Sequence, residues 1–426
     1  MREDFLHFIW QNQYFDKSTL RTSEGDDIVI FKQGLSNLDS GPDFSNCRIK
    51  IKSIEWVGNV EIHYKSSDWY QHKHQHDKAY DNVVLHVVWK EDKPIRRTDD
   101  SIIPTLELKD KIDLTIINKY KDLIKSDREI HCHPFFSGIN DIYKTSMVEK
   151  VAIERIKDKS KKVLEILNFH KGDWEQTAYT LLASNFGFKL NSEPFKRLSE
   201  VVPFALIKKH LHQPFQVEAL IYGASGLLNK VFTDTYPLAL QKEYVFLAHK
   251  FDLKNIQLEE NEWKFSKIRP ANFPTIRIAQ FISIIIQLKS VFTSLLGILN
   301  IKELNQLADI KIHDYWMNHF LFEKESKKKF IHLGQESINN IAINTVIPLL
   351  VAYALAKDKH EYLERAIKLL ESIPYERNTV ISKWKKVGLD FSNALQSQGA
   401  IGLLNTYCAK KRCLDCALGI QILRSS

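Results

Sequence analysis

The chain has 426 residues, 44% of them hydrophobic and 26% charged, and its 60 basic against 52 acidic side chains give a formal net charge of +8. That length supports two or three domains with their own cores, and the composition excludes disordered, collagenous and disulfide-framework proteins. The basic excess is mild: it admits a polyanionic partner without requiring one.

The opening Met1-Arg2-Glu3-Asp4-Phe5-Leu6-His7-Phe8-Ile9-Trp10 carries acids and an amphipathic pattern where a secretion leader would carry an unbroken apolar run. The most apolar stretches, Ile278 to Leu288 and Ile343 to Ala356, read as too short or too interrupted to span a bilayer. Five cysteines, three of them near the C-terminus, do not form a secreted framework. A cytoplasmic protein with no membrane partner is expected; the pattern sets no oligomeric state.

Glu3 to Gln13 places Phe5, Phe8 and Ile9 on one helical face. Ile28-Val29-Ile30-Phe31 reads as a strand, and Leu35 to Phe44, with Asn37, Asp39, Ser40, Gly41 and Pro42, as a loop. Arg48 to Lys52 and Trp56 to Lys65 alternate with period two, as half-buried strands do. Gln75 to Tyr80 fits one or two helical turns, and Asn82 to Trp89 a central buried strand. From about residue 140 strand signals fade. Met147–Leu167, Trp174–Phe186, Glu218–Phe232, Ile276–Leu299, Ile338–Ala356 and His360–Leu370 carry helical spacing, with breaks at Gly172, Pro203, Pro214, Pro237 and the stretch Arg269 to Pro274. The expectation is an α+β protein: a small mixed-sheet α/β module over 1–135, a long all-α region over 140–400, and a cysteine-containing tail over 401–426.

Chemistry concentrates in the first module. Between positions 43 and 86 stand Asp43, Glu61, His63, Asp68, His72, His74, His76 and His86, and half of the sixteen histidines fall in the first 133 residues. Carboxylate oxygen and imidazole nitrogen together bind divalent metals, and one side chain rarely suffices. Glu61 and His63, two apart on a strand, share a face; a hairpin turn near Ser53 to Glu55 would bring Asp43 up to Glu61. Such carboxylates can hold Mg²⁺ or Mn²⁺, which lowers the pKa of water and neutralises phosphate charge. The bland alternatives are an aspartate that merely fixes the turn after Gly41-Pro42 and histidines in a solvated loop.

Gly41-Pro42-Asp43-Phe44 followed by Val60-Glu61-Ile62-His63 resembles the PD-(D/E)xK nuclease motif, and the helix–strand–strand–strand–helix–strand order is similar to that superfamily's core. The resemblance implies Asp43 and Glu61 as metal ligands and catalytic groups. His63 occupies the usual lysine position, as ligand or base, and Lys65 is a second source of positive charge. Tyr80 stands four residues after His76, an accessory pair placed like the superfamily's glutamine and tyrosine. The chain also resembles a bacterial domain-of-unknown-function family, number 2851. Shared stretches include Glu3 to His7, Asn59 to His63, Ser67-Asp68-Trp69, His74 to Asp77, Asn82 to Val88, Asn272 to Arg277 and the cysteine tail; this resemblance implies no activity.

Cys408, Cys413 and Cys416 follow a C-x₄-C-x₂-C spacing that suits Zn²⁺ or part of an iron–sulfur cluster. Cys132 is the candidate fourth ligand, with His131 or His133 as substitutes. The set would be structural, similar to the iron–sulfur staple of certain PD-(D/E)xK nucleases, and the alternative is four ordinary buried thiols. Arg269 and Arg277, with Lys267, bracket the Asn-Phe-Pro-Thr turn and are candidate contacts to DNA or RNA, as are Lys327 to Lys329; most such groups are solvated surface. Phosphate-loop, dinucleotide, HExxH and GxSxG motifs are absent.

Three functions follow as expectations. The first is a divalent-metal nuclease using Asp43, Glu61, His63 and Lys65. The second is a nucleic-acid-binding or scaffold protein that keeps the sheet without chemistry. The third is a metal-dependent hydrolase with His72, His74 and His76 as ligands.

Overall fold

A computed structural model of the chain describes residues 2–37, 39–253, 256–327 and 333–425. It is α+β, and it forms two compact units. The first comprises Met1–Met147, Trp384–Leu389 and Leu403–Ser426; the second comprises Val148–Lys383 and Asp390–Gly402. The tail cysteines are therefore part of the first unit, in place of a separate segment.

The first unit opens with helix α1 (Glu3–Asn12), which buries Phe5, Leu6, Phe8, Ile9 and Trp10. Strands β1 (Ile28–Lys32), β2 (Leu35–Ser36), β3 (Phe44–Ile51), β4 (Ile54–Lys65), β5 (Val83–Lys90) and β6 (Thr105–Glu107) form one sheet in the order β1-β3-β4-β5-β6, with β2 beside β3. The pairs β1–β3 and β3–β4 are antiparallel, while β4–β5 and β5–β6 are parallel. Ile51 pairs Ile54, so Lys52 and Ser53 close the β3–β4 hairpin, with Lys52 at φ +56°. A left-handed residue in a two-residue loop matches the right-handed twist of the strands it joins.

Parallel pairing of β4 with β5 cannot be made by a tight turn; the chain must cross the face of the sheet between them. The crossover consists of helix α2 (Asp68–Gln71) and two 3₁₀ turns, His74–His76 and Lys78–Tyr80. Asp77 accepts the Ala79 N–H at 2.9 Å and separates the two turns. Trp69, fully buried, anchors the crossover by donating its indole N–H to Arg96 O at 3.0 Å. Helix α3 (Leu114–Lys125) is joined to α1 by stacking of Tyr120 on Phe5 (4.2 Å between centroids) and by its hydroxyl on Asp4. Sequence periodicity missed α2, α3, β2 and β6. Each is short or placed by tertiary contact, where intrinsic propensity decides little.

The second unit is helical around one apolar core that includes Tyr179, Phe186, Phe195, Tyr222, Trp263, Phe281 and Trp316. The expected single helix from Ile276 to Leu299 is two, Pro274–Leu288 and Val291–Gly297, bent by 79°. The run Gln335–Lys357 is long and apolar enough to cross a membrane, contrary to the reading of its sequence as interrupted, and 72% of its most apolar window is buried inside the protein. A π turn, Ala342–Val346, interrupts it. Such turns break the regular hydrogen-bond ladder, and here Lys159 Nζ reaches the carbonyl of Ile343 (3.4 Å), Asn344 Oδ1 and Gln398 Oε1 (both 2.8 Å).

Gly58 sits where β4 meets the end of the crossover. A Cβ there would stand 2.6 Å from Asn82 O and closer still to Val84 Cγ1. Gly58→Ala should therefore cost about 1–3 kcal/mol in urea unfolding, and an unchanged midpoint would contradict this packing. In the second unit, Glu218 accepts a hydrogen bond from Tyr236 Oη at 3.0 Å, and burial pushes its carboxyl up to about 7. A folded-state pKa raised above the unfolded value gives stability that is full below the unfolded pKa and lost as pH rises through the folded one. Wild type should lose roughly 1–2 kcal/mol more than Glu218→Gln between about pH 5 and pH 8, allowing for partial solvent contact. Parallel pH profiles for the two proteins would refute the assignment.

Candidate metal centre

The centre is built on one face of β4 and β5. Glu61 pairs with His86 and His63 with Val88 in the parallel ladder, so Glu61, His63 and His86 project from the same side. The crossover then lays His72 and His74 over them. Glu61, His63 and His86 are 5%, 1% and 0% exposed, unusual values for such side chains unless they are partnered.

Three imidazole nitrogens converge, with a carboxylate oxygen beside two of them. His63 Nε2 lies 3.0 Å from His72 Nδ1 and 3.6 Å from Glu61 Oε1, and His74 Nε2 lies 3.3 Å from the same oxygen. His63, His72 and His74 each present one nitrogen, all within 4.8 Å of one another. Ligands bound to one tetrahedral zinc at about 2.0–2.1 Å stand roughly 3.3 Å apart; the His63–His72 separation is close to that edge, and the whole group lies within 4.8 Å. His74 Nε2 is buried and off-axis for a hydrogen bond to Glu61, so it has no hydrogen-bond partner. A buried, unpaired ring nitrogen facing a carboxylate and two imidazoles suits a cation ligand. This is the fit expected of a metal site.

Electrostatics support the same reading. Burial, then repulsion from His72, His74 and His7, lowers His63 to about 3. His86 is pushed well below its ordinary value, again chiefly by burial. Neutral imidazoles keep the lone pairs that metals need. His63 Nδ1 lies 2.8 Å from His86 Nε2. If Nε2 held a metal, Nδ1 would carry the proton and donate to His86, an outer contact of the kind that fixes ligand orientation. Tyr80 stacks on His74 at 3.8 Å between centroids, and Trp69 edges both His74 and His86. Burial pushes the Tyr80 hydroxyl to about 12, helped by the charges of Glu61 and Asp43.

Asp43 and Glu61 are interlocked through backbone. The Asp43 N–H donates to Glu61 Oε2 at 3.0 Å, and the Ile62 N–H donates to Asp43 Oδ2 at 2.9 Å. Asp43 Oδ2 also faces His7 Nε2 of α1 at 3.3 Å. Glu61 Oε1 thus stands beside the imidazoles, while Asp43 braces β4 and pairs with His7. Burial raises the Glu61 carboxyl above the usual carboxylate range, against the opposing pull of His74. His7 ends above its ordinary value because Asp43 outweighs the effect of burial.

Several expected site residues lie elsewhere. His76 is exposed and outside the imidazole group, because the 3₁₀ turn gives His74 and His76 different directions where an extended strand would have aligned them. The Lys65 side chain is exposed at the end of β4, and its N–H donates to Asp68. Arg277 cannot reach phosphates. It is 6% exposed, bonded to Gln280, Asn272 and Ser337, and stacked over Phe188 at 4.3 Å. Arg269 is exposed; Lys328 and Lys329 lie outside the described residues. His7 was not singled out by sequence, since only the folded α1 carries it to Asp43.

Residues 3–379 match the family described as Protein of unknown function (DUF2851). The chain belongs to the DUF2851 family. The matched residues of this DUF2851 protein include the whole imidazole cluster, and the three tail cysteines lie beyond them. No curated protein and no solved structure matches it.

If His86 orients His63, then His86→Leu should weaken Zn²⁺ or Mn²⁺ binding about 10–100-fold by calorimetry while leaving the melting profile of the metal-free protein cooperative. Unaltered affinity would remove His86 from this role.

Proposed function

We propose that the first unit is a divalent-metal-dependent hydrolase acting on phosphodiesters. The observation that carries this reading is the convergence of one ring nitrogen from each of His63, His72 and His74 within 4.8 Å of one another, with Glu61 Oε1 beside His63 and His74. The three imidazoles are the ligands. A bound divalent ion supplies Lewis acidity, lowering the pKa of water and neutralising phosphate charge. Glu61, its carboxyl lifted by burial, accepts the proton of the attacking water. Bases poised nearer neutrality than an ordinary carboxylate are effective at physiological pH. His7, held toward its charged form by Asp43 and partly exposed, offers a proton to the leaving oxygen. Two groups whose surroundings push their pKa values in useful directions make an acid–base pair.

Phosphodiester is favoured over other esters by the placement of the groups. Asp43 precedes β3, and Glu61 and His63 share a face of β4, which runs parallel to β5. These positions are those of the PD-(D/E)xK motif that the sequence resembles, with an imidazole at the lysine position, and that resemblance supports a phosphodiester substrate. The exposed cations Arg48 and Lys52, which pair with Glu55 and Asp26, are candidate contacts to a DNA or RNA backbone, and such binding would weaken steeply with salt.

The test uses the full chain with Zn²⁺, Mn²⁺ or Mg²⁺ against single- and double-stranded DNA, RNA and bis(p-nitrophenyl) phosphate. Hydrolysis is expected with at least one ion, and Glu61→Gln should reduce kcat at least 100-fold, the lower end of about 10²–10⁴ for loss of a general base, with metal stoichiometry retained. A protein that binds one ion at the imidazoles yet cleaves none of these substrates is a metal-holding scaffold.

A further inference from the structure

We propose that the first unit carries a second, structural zinc ion held by Cys132, Cys408, Cys413 and Cys416. The four cysteines come from distant parts of the chain and line a single cavity of about 20 Å³. A space of that size holds one water or one ion, whereas an iron–sulfur cluster needs several atoms' worth of room. Cys47, the remaining cysteine, shows what an isolated buried thiol does here: it sits alone in β3 and donates to Gln33 O at 2.8 Å.

Each ligand position is held by backbone. Cys413 and Cys416 flank a 3₁₀ turn, Cys413–Asp415, closed by the Cys416 N–H on Cys413 O at 3.4 Å, so a C-x₂-C pair faces one point. Cys408 O takes the Lys411 N–H at 2.9 Å and lies 2.9 Å from His131 Nε2. Cys132 precedes the 3₁₀ turn His133–Gly138 and accepts the Phe135 N–H at 3.0 Å. Both His131 ring nitrogens face carbonyls, Ser126 O and Cys408 O, and His133 is exposed. Neither is placed as a ligand, which leaves four sulfurs, a common set for structural zinc.

Binding exchanges up to four thiol protons for one Zn²⁺ and leaves a net charge of −2 on the site. Lys411, whose ammonium donates to Ile124 O, brings positive charge to the same turn, while Arg412 is paired with Asp415. Among the described residues the sulfurs stand further apart than the three imidazole nitrogens.

The experiment uses the full chain carrying His63→Ala and His72→Ala, so that zinc at the imidazole centre does not contribute. Mass spectrometry should find roughly one zinc per chain, falling below about a tenth in Cys408→Ser and Cys416→Ser and unchanged in Cys47→Ser. Because tail variants can unfold, a second readout uses the Cys47→Ser form with intact tail: mercurial titration of its four thiols should release the zinc in step, and Co²⁺ exchange should give the d–d bands of tetrahedral thiolate coordination. Thiols that titrate with no metal released would overturn the proposal, as would iron with acid-labile sulfide. Failure of the phosphodiester assay would leave this result unaffected.

Discussion

Burying the Glu61 carboxylate between β3 and β5 costs several kcal/mol unless its oxygens are partnered, and much of the first unit is arranged around that requirement. One oxygen takes the Asp43 N–H, and the other faces His74 and His63. Asp43 is tied in turn to the Ile62 N–H and to His7. Removing any one partner leaves an uncompensated charge in a low-dielectric setting, so the start of β3, the middle of β4 and helix α1 are energetically linked.

The parallel β4–β5 pair supplies the second half of the arrangement. Because parallel neighbours need a crossover, a stretch of chain has to pass over the face on which Glu61, His63 and His86 stand. That stretch carries Trp69, His72, His74 and Tyr80. The aromatic rings set its depth, with Trp69 buried against His74 and His86 and Tyr80 stacked on His74. A hairpin in place of the crossover would have brought the two strands together with nothing above them. The cluster is thus a consequence of strand direction as much as of histidine content.

Resident polar groups elsewhere show how differently the same residue types are used. Half-buried Lys159 holds a π turn, and buried Arg277 bridges Asn272, Gln280 and Ser337, so neither cation is free for a ligand. His131 is committed to two carbonyls. The imidazoles of His72 and His74 differ because their neighbours are other imidazoles and a carboxylate.

Local pattern determined the α+β class, the strands around Ile49, Ile62 and Val87, the long helices, and the concentration of carboxylates and imidazoles between Asp43 and His86. These depend on period and composition, which are properties of a few adjacent residues. The tertiary structure alone decided that His74 turns inward while His76 faces water, that His7 reaches Asp43, that Arg277 is buried, and that Cys132 shares a cavity with the tail. Such outcomes depend on strand direction, register and the path of a crossover, and those are set by contacts between residues far apart in the chain.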